Sequence, residues 1–390
     1  MHLRADFGLK KVLTRFLALA AAVRSNRPTG LREKVPKLSF AELMMRTTNK
    51  LAADLDHVLV HTRELWEEVR GQRIFVTGAT GFFGCWLLES FAWANDKLKL
   101  EAELVALTRN ADLFRKKVPY LGSREDIRFH AGDVRDFNFP TGQFSHVIHA
   151  ATESATQLGA ENPQVMFDTV VDGTRRTLEF AKVCGARKFL LTSSGAVYGP
   201  QPANLTHVSE EFFGAPDTTN PASAYAEGKR AAELLCVLHS KVNPGLEAKI
   251  ARCFAFVGPY MALDAHFAIG NFIRDALRGG PIKIGGDGTP YRSYLYAADL
   301  AIWLWTILFR GANSRPYNVG SARALTIAET AEAVQRVFQG KPVIEIAQKP
   351  TPGKAPSRYV PDVSRAEKEL GLREWVSLDD AIDRTAEIHF

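Results

Sequence analysis

From Arg73 onward, short runs of apolar and β-branched residues alternate with longer stretches of helical periodicity. The predicted strands cover residues 74–77, 104–107, 127–130, 146–149, 188–192 and 249–253, and the predicted helices among them cover 83–93, 168–184 and 225–238. Strands that are apolar throughout and separated by helices are typical of a parallel sheet covered on both faces. The alternation therefore predicts an α/β fold built on a doubly wound parallel sheet.

The same alternation predicts how the chain is divided. Residues 71–251 contain the repeating units, and we expect them to form a Rossmann-like, NAD(P)-binding domain. Beyond Gly258 the pattern loosens, with glycine turns over 279–288 and prolines concentrated over 342–361. We expect residues 252–390 to form a smaller α/β region that binds the substrate, with some segments returning to the first domain.

Residues 1–70 precede this pattern and are interpreted as an N-terminal extension, a basic leader followed by helix. Lysines and arginines surround the apolar stretch 16–23, which is compatible with a membrane-surface helix or a cleaved signal. We favour a disordered leader or an over-long start. Residues 39–70 show helical spacing, with Ser39 or Asp54 as possible caps, and are expected to pack on the body or on a partner subunit.

Composition excludes several classes of protein. The 390 residues carry a net charge of +6 and show no basic stripe interleaved with aromatic residues, so we expect no nucleic-acid partner. No apolar run approaches the roughly 20 residues that span a bilayer. The four cysteines form no CxxC pair, which argues against a metal site or a disulfide framework and favours a reduced, cytoplasmic protein.

A glycine turn links the first predicted strand to the first helix. Glycines 78, 81 and 84 allow a tight turn and a close backbone approach to a pyrophosphate, which the free N–H groups of the helix would bind. Phe82 and Phe83 lie within this turn and are also assigned to the cofactor site. A purely structural turn is the alternative, but the position between strand and helix favours a dinucleotide.

Further cofactor residues follow the later strands. The second strand ends in Arg109 without a carboxylate, so we expect Arg109 to bind a 2′-phosphate and favour NADP over NAD, unless it is a solvated loop residue. After the third strand, Asp133 could accept from the adenine amino group, beside Val134. After the fourth strand, the small residues Ala150 and Ala151 leave room for the cofactor.

A YxxxK pattern places Tyr225 and Lys229 one turn apart on one face of a predicted helix. A lysine ammonium near a phenol stabilises the phenolate and makes the tyrosine a usable base. A buried strand ends in Ser193 and Ser194, and a serine there can hydrogen-bond a substrate hydroxyl while the tyrosine takes its proton. The alternative is that both serines cap a turn, and Tyr198 is interpreted as structural.

These motifs occur in a fixed order, over residues 76–84, 132–136, 149–154, 194–199, 225–229, 257–259, 286–293 and 317–320. As an ordered set they resemble the extended short-chain dehydrogenase/reductase superfamily, in its nucleotide-sugar epimerase/dehydratase branch, over about residues 71–375. The resemblance implies that Ser194, Tyr225 and Lys229 are the catalytic trio. It also implies that Asn271 and Arg292 lie by the nucleotide-sugar diphosphate, and that the chain forms a homodimer through a helical bundle.

The chain departs from the resembled pattern at three places. Dehydratases of this branch usually carry an acidic pair directly after the hydroxyl that matches Ser194, whereas this chain has Gly195 and Ala196. Val170 and Ala255 replace two asparagines. The last two changes alter the expected hydrogen-bond network around cofactor and substrate.

These departures rank the possible reactions, all of which begin with oxidation at sugar C4. An epimerase needs no acidic pair and comes first. A 4,6-dehydratase comes second, with Glu153 beside the cofactor as a possible acid or base on the substrate side. A 4-ketoreductase comes third, and a non-catalytic binding module is ranked last because the trio is intact. Polysaccharide biosynthesis is the expected setting.

Overall fold

The computed structural model describes residues 49–152, 162–265 and 267–389. The strands of its main sheet, numbered along the chain, are β1 Arg73–Thr77, β2 Glu103–Thr108, β3 Ile127–Ala131, β4 His146–His149, β5 Lys188–Ser194, β6 Glu247–Cys253 and β11 Pro316–Val319. They pair in parallel in the order β3-β2-β1-β4-β5-β6-β11. The predicted doubly wound, Rossmann-like parallel sheet is therefore confirmed.

Helices cover both faces of this sheet. They are α1 Ala52–Thr62, α2 Phe82–Leu98, α3 Ala111–Lys117, α4 Pro119–Gly122, α5 Pro163–Val183, α6 Ala224–Val242, α7 Ala268–Leu277, α8 Ala297–Arg310, α9 Ile327–Val337, α10 Ser364–Leu370 and α11 Leu378–His389. Alternate residues of β1 belong to different buried clusters, Ile74 and Val76 to one and Phe75 to the other. This division explains why the strand is apolar throughout, since each of its faces is covered by helices.

The strand order reverses between β1 and β4. Val76 pairs with Ala106 of β2 on one side and with Ile148 of β4 on the other. In open parallel sheets a ligand binds where the order reverses, outside the carboxyl ends of the strands. The turn after β1 and the residues after β4 therefore meet at the place where a dinucleotide is expected.

Helix α1, the first helix of the described residues, continues into a 3-10 turn, Arg63–Val69, and both pack on the body of the fold. Trp66 packs against Trp305 with ring centroids 4.6 Å apart. The expectation that Asp54 caps the helix is wrong, because Leu51 occupies the cap position and Asp54 lies in the first turn. Its carboxylate instead accepts hydrogen bonds from Tyr296, at 2.6 Å, and from Arg384. Ser39 and the basic leader lie outside the described residues.

Short strands build the C-terminal part. They are β7 Phe256–Val257, β8 Ile282–Ile284, β9 Tyr291–Arg292, β10 Leu295–Tyr296, β12 Leu325–Thr326, β13 Ile344–Ile346 and β14 Arg358–Tyr359. Strand β9 lies between β12 and β14, which brings Arg292 into register with Tyr359. The division of the chain at residues 251 and 252 stays a prediction. Within the three described ranges, no helix combines the length and apolarity needed to cross a membrane.

Candidate active site

The turn after β1 leaves no room for side chains at two of its glycines. Gly78 has φ +69°, and a Cβ placed on it would lie 2.4 Å from the carbonyl oxygen of Ala150. A Cβ on Gly84 would lie 2.3 Å from the carbonyl oxygen of Gly78. Gly81 occupies the cap position of α2, and no side chain caps that helix end. The bare turn and the free N–H groups of α2 fit a dinucleotide pyrophosphate.

The end of β1 is fixed to β4 by hydrogen bonds through His149. Thr77 Oγ1 lies 2.8 Å from His149 Nδ1 and accepts a hydrogen bond from the Ala151 N–H at 3.1 Å. On the other side of the ring, His149 Nε2 lies 3.1 Å from Thr174 Oγ1. Burial lowers the pKa of His149 to about 3, so the ring is neutral. These bonds hold Ala150 and Ala151 against the glycine turn.

Phe82 and Phe83 are the first two residues of helix α2, directly after the glycine turn. The rings of Phe82 and Phe83 have centroids 5.8 Å apart, and Phe83 packs edge-to-face on Phe256 at 5.1 Å. Both phenylalanines are only partly buried. Their contribution to cofactor binding stays a prediction.

The predicted adenosine-side residues lie at the ends of β2 and β3. Arg109 is exposed directly after β2. The Asp133 carboxylate accepts from Arg135 Nε at 2.8 Å, and this bond, with a smaller contribution from Arg109, lowers the pKa of Asp133. Val134 packs against α5, where a Cβ on Gly173 would come within 2.9 Å of it. The structure thus places Arg109 and Asp133 close enough to interact electrostatically.

Helix α6 brings the tyrosine and lysine of the predicted trio together. Lys229 is 2% exposed and donates to the carbonyl oxygen of Thr192 at 2.8 Å, while its Nζ lies 5.8 Å from the centroid of the Tyr225 ring. Burial lowers the pKa of Lys229 to about 8. Burial raises the pKa of Tyr225 to about 12, against the opposing effect of a hydrogen bond with Ser194. The three predicted catalytic side chains therefore meet at the end of β5.

The two serines at the end of β5 have different partners. Ser194 Oγ accepts from the Ala196 N–H at 3.1 Å, so this serine does cap the 3-10 turn Gly195–Tyr198 while facing Tyr225. Ser193 Oγ donates to Glu233 at 2.5 Å. Of the two, Ser194 is the one placed to act with Tyr225.

The residues directly after Ser194 depart from the resembled pattern, with Gly195 and Ala196 in place of an acidic pair, and packing explains the glycine. A Cβ on Gly195 would lie 2.7 Å from the Phe254 ring, so the ring fills the space that a side chain would need. Ala196 carries no ionisable group. Val170, the second departure, packs against α6, where a Cβ on Gly228 would lie 3.2 Å from it. Ala255 lies beside Phe254, and its carbonyl accepts from the Leu295 N–H at 3.1 Å.

The predicted substrate-side residues lie on C-terminal elements. Arg292, on β9, donates to its neighbour's carbonyl, that of Tyr291, at 2.7 Å. Because residues paired across adjacent strands share a face, Arg292 lies on the same face as Tyr359. Asn271, on α7, accepts from Arg274 at 2.9 Å. Glu153 lies outside the described residues.

One residue of this site was not anticipated from the sequence. Tyr359 Oη lies 3.4 Å from Ser194 Oγ, which adds a third hydroxyl to those of Ser194 and Tyr225. The tyrosine comes from the proline-rich segment 342–361, where the only local signal is one of turns. No spacing rule connects it to a serine 165 positions earlier.

The chain is similar to known proteins over most of its length. Residues 74–320 match the model of the NAD dependent epimerase/dehydratase family. UDP-glucuronic acid decarboxylase 6 of Arabidopsis thaliana is 32% identical over 311 residues, covering 80% of this chain and 86% of the relative. UDP-glucuronic acid decarboxylase 1 of Xenopus tropicalis is 29% identical over 376 residues, covering 96% of this chain and 84% of the relative.

Solved structures share the fold at lower identity. UDP-glucuronic acid 4-epimerase from Bacillus cereus, in complex with UDP-glucuronic acid and NAD, superposes with a TM-score of 0.67 at 23% identity and covers 81% of this chain and 98% of its own. DesIV, a dTDP-glucose 4,6-dehydratase from Streptomyces venezuelae, superposes with a TM-score of 0.67 at 24% identity. The match covers 81% of this chain and 96% of DesIV. By its match over 74–320 and its curated relatives, the chain belongs to the NAD-dependent epimerase/dehydratase family of enzymes.

Proposed function

We propose that this enzyme oxidises C4 of the sugar of a UDP-sugar with NAD or NADP and returns the sugar as its 4-epimer. The observation that supports the first step is the meeting of Ser194, Tyr225 and Lys229 at the end of β5. The names of the relatives and of the solved structures support a UDP-sugar as substrate.

In this proposal each member of the trio has one task. Ser194 forms a hydrogen bond with the C4 hydroxyl, and Tyr225 accepts the proton of that C4 hydroxyl. Lys229 favours the phenolate of Tyr225 electrostatically. A nicotinamide cofactor, with its pyrophosphate held by the glycine turn, would supply the redox chemistry by accepting the C4 hydrogen as hydride and later returning it to C4. Tyr225 then gives the proton back to the C4 oxygen, so that no proton is gained or lost overall.

Epimerisation is the reaction that makes the fewest demands on this site. After oxidation the 4-keto sugar needs only to present its other face before it is reduced. Removal of water from the keto sugar needs further proton transfer, and Gly195 and Ala196 supply no group for it. Because the Phe254 ring occupies the space beside Gly195, no side chain fits there in this arrangement.

A second candidate is decarboxylation of UDP-glucuronic acid, which the names of the relatives favour. Oxidation at C4 makes the sugar a β-keto acid. Its carboxylate can leave as carbon dioxide while the C4 ketone takes up the electron pair as an enolate, and C5 then takes a proton. The first half of this reaction uses the same trio, so the two candidates differ only after the ketone has formed.

Product analysis distinguishes the candidates. Purified protein is incubated with NAD or with NADP and, in separate reactions, with UDP-glucose, UDP-glucuronic acid and dTDP-glucose, followed by mass spectrometry and chromatography. A new isomer of unchanged mass supports the epimerase, and loss of carbon dioxide from UDP-glucuronic acid supports the decarboxylase. Loss of water would show a dehydratase, and consumption only of added 4-keto sugars with NADPH a ketoreductase. No change of any substrate, including the keto sugars, would contradict the proposed chemistry.

The preference for NADP is proposed to rest on Arg109. Its guanidinium is exposed at the end of β2, where a 2′-phosphate could accept two hydrogen bonds from it. We expect Arg109→Ala to weaken NADP binding about tenfold or more while leaving NAD binding within about twofold. Calorimetric titration with each cofactor measures both constants. Equal losses for NAD and NADP would contradict the assignment.

The substrate diphosphate is proposed to bind Arg292. Its partner across β9 and β14 is Tyr359, which faces Ser194, whereas Arg358 stacks over Tyr291 at 3.9 Å and serves as a matched control. We expect Arg292→Ala to raise KM for the nucleotide sugar about 10- to 100-fold, because charge-assisted bonds to phosphate are lost. Arg358→Ala should leave KM within about threefold. Equal effects of the two substitutions in steady-state assays would argue against a clamp at Arg292.

A homodimer is also proposed, through the outer face of α5 and α6. Leu234, Leu238 and Val242 form a stripe on α6 and are 58%, 49% and 73% exposed, and Val183 of α5 is 70% exposed. An apolar stripe at i, i+4 and i+8 is suited to packing against a second copy of itself around a two-fold axis. Sedimentation of the purified protein tests this, and a monomer at micromolar concentration would contradict it.

A further inference from the structure

A second phenol, besides Tyr225, reaches the serine of the trio. Tyr359 Oη lies 3.4 Å from Ser194 Oγ and 3.5 Å from the carbonyl oxygen of Cys253. Its ring packs on Phe254, with centroids 4.7 Å apart. Phe254 in turn fills the space beside Gly195. The C-terminal strand β14 thus contributes a hydroxyl to the end of β5.

The hydrogen-bonding capacity of Ser194 is limited. A serine hydroxyl can donate once and accept twice. The Ala196 N–H already takes one acceptor position of Ser194 Oγ, at 3.1 Å. If Tyr359 donates to the second acceptor position of Ser194 Oγ, Ser194 can make any further hydrogen bond only as a donor.

Tyr359 is suited to be that donor. Burial raises the pKa of its phenol above the ordinary value of a tyrosine, against the opposing effects of its hydrogen bond with Ser194 and, more weakly, of Arg292. The Tyr359 hydroxyl therefore keeps its proton at neutral pH and is able to donate it in a hydrogen bond. Among the hydrogen bonds of the described residues, the only other acceptor for the Tyr359 hydroxyl is the carbonyl oxygen of Cys253, 3.5 Å away.

We propose that Tyr359 is a positioning residue that donates to Ser194 Oγ and thereby directs the single Ser194 proton toward Tyr225 or, when substrate is bound, toward the substrate oxygen. The inference rests on the proposed function, in which Ser194 and Tyr225 act on the sugar hydroxyl. A serine that can only donate stabilises the phenolate form of Tyr225. The hydrogen bond with Ser194 lowers the pKa of Tyr225, against the larger effect of burial.

A double-mutant cycle of Tyr359→Phe and Ser194→Ala tests the inference on turnover. Tyr359→Phe keeps the ring on Phe254 and removes only the hydroxyl. We expect kcat to fall about tenfold, the effect of one hydrogen bond, with KM within about twofold. In the Ser194→Ala background the same substitution should cause no further loss. An equal loss in both backgrounds, or a change in KM alone, would overturn the inference.

A second readout needs no substrate. The ionisation of Tyr225 is followed by ultraviolet absorbance in NAD-loaded protein, with the titration of the matching Tyr225→Phe variant subtracted. We expect a higher pKa for Tyr225 in Tyr359→Phe than in wild type, and no difference between Ser194→Ala and the double variant. An unchanged pKa in Tyr359→Phe would overturn the inference. If wild type turned over no nucleotide sugar, the proposed function would fail while this titration still decided the role of Tyr359.

Folding is checked with a matched control in the same part of the molecule. Tyr294 is a buried tyrosine whose hydroxyl hydrogen-bonds Thr330 instead of Ser194. Tyr294→Phe should leave kcat and the titration of Tyr225 at wild-type values. If Tyr294→Phe lowered kcat as much as Tyr359→Phe, the loss would reflect general loosening, and the inference would be overturned.

Discussion

Tyr225→Phe is expected to lower kcat about 10³-fold, which is the largest effect on activity that we predict for a single substitution. A positioned general base contributes about 10² to 10⁴ in rate, and phenylalanine removes this base without changing the shape of the ring. Lys229 stays bonded to the Thr192 carbonyl at 2.8 Å, so the surrounding strand and helix keep their arrangement. The measurement is steady-state turnover of the substrate identified by product analysis.

Two further measurements show whether the loss comes from chemistry. Because Tyr225 contributes to stability mainly through its ring, the free energy of unfolding should change by no more than about 1 kcal/mol. Bound NAD, measured by release and chromatography, should stay close to the wild-type amount. Tyr294→Phe again serves as the matched control and should keep full activity. A Tyr225→Phe protein that retained more than about a tenth of wild-type kcat would rule out this tyrosine as the base.

The sheet could be predicted from the sequence because its signals are local. Each predicted strand of the main sheet agrees with an observed strand to within about two residues at either end, and 146–149 agrees with β4 at both ends. Apolar residues in short runs define such strands whatever the rest of the chain does. The strand β11 was not predicted, because Pro316–Val319 is short and lies in the less regular C-terminal part.

The site could be predicted only in part, because some of its contacts join distant segments. Tyr225 and Lys229 follow from a motif with fixed spacing, and Ser194 follows from the family resemblance. Tyr359 does not, since its place beside Ser194 depends on the pairing of β14 with β9. Asp54 failed as a predicted cap for a similar reason. Its preferred partners, Tyr296 and Arg384, lie more than 200 positions away, and no helix-end rule includes them.

Acid pH is expected to destabilise the protein strongly through histidines at the two ends of β4. Burial lowers the pKa of His149 to about 3 and that of His146 to about 4, from an ordinary value of 6.5. In each case the folded protein binds fewer protons than the unfolded chain. The stability contributed by the neutral rings is therefore complete above pH 6.5 and is lost as the pH falls toward those values.

Hydrogen bonds around His149 explain why its protonation is so unfavourable. The Thr174 hydroxyl donates to the Val170 carbonyl at 2.7 Å, so its oxygen must accept from His149 Nε2. His149 Nδ1 then has to accept from Thr77 Oγ1, 2.8 Å away. A proton on Nδ1 places this N–H against the Thr77 hydroxyl, which is also a donor. It also places a positive charge in a buried site near Lys229. The bond that is lost is the one between Thr77 and His149, which holds the end of β1 beside the glycine turn.

Glu89 changes the stability of the protein with pH in the opposite direction, so its contribution has to be measured apart from that of the histidines. Burial raises its pKa from 4.5 to about 7, and Tyr260 donates a hydrogen bond to its carboxyl group. The folded protein therefore takes up a proton at Glu89 before the unfolded chain does, so acidification from about pH 7 to 4.5 stabilises it through this group. Glu89→Gln removes that contribution. The variant should lose stability more steeply than wild type over this interval.

His149→Gln isolates the larger effect. One unit of pKa corresponds to about 1.4 kcal/mol, so the lowering of the His149 pKa from 6.5 to about 3 corresponds to roughly 5 kcal/mol of folding free energy. This stability is lost when His149 becomes protonated in the folded protein, and it is a large part of the roughly 5 to 15 kcal/mol of a typical domain. Glutamine cannot titrate, so the variant should start less stable at neutral pH and decline less on acidification. Urea unfolding at several pH values between about 7 and 4 measures both slopes. Parallel curves for wild type and His149→Gln would mean that the ring titrates normally, and that its bonds to Thr77 and Thr174 do not set the acid stability of the fold.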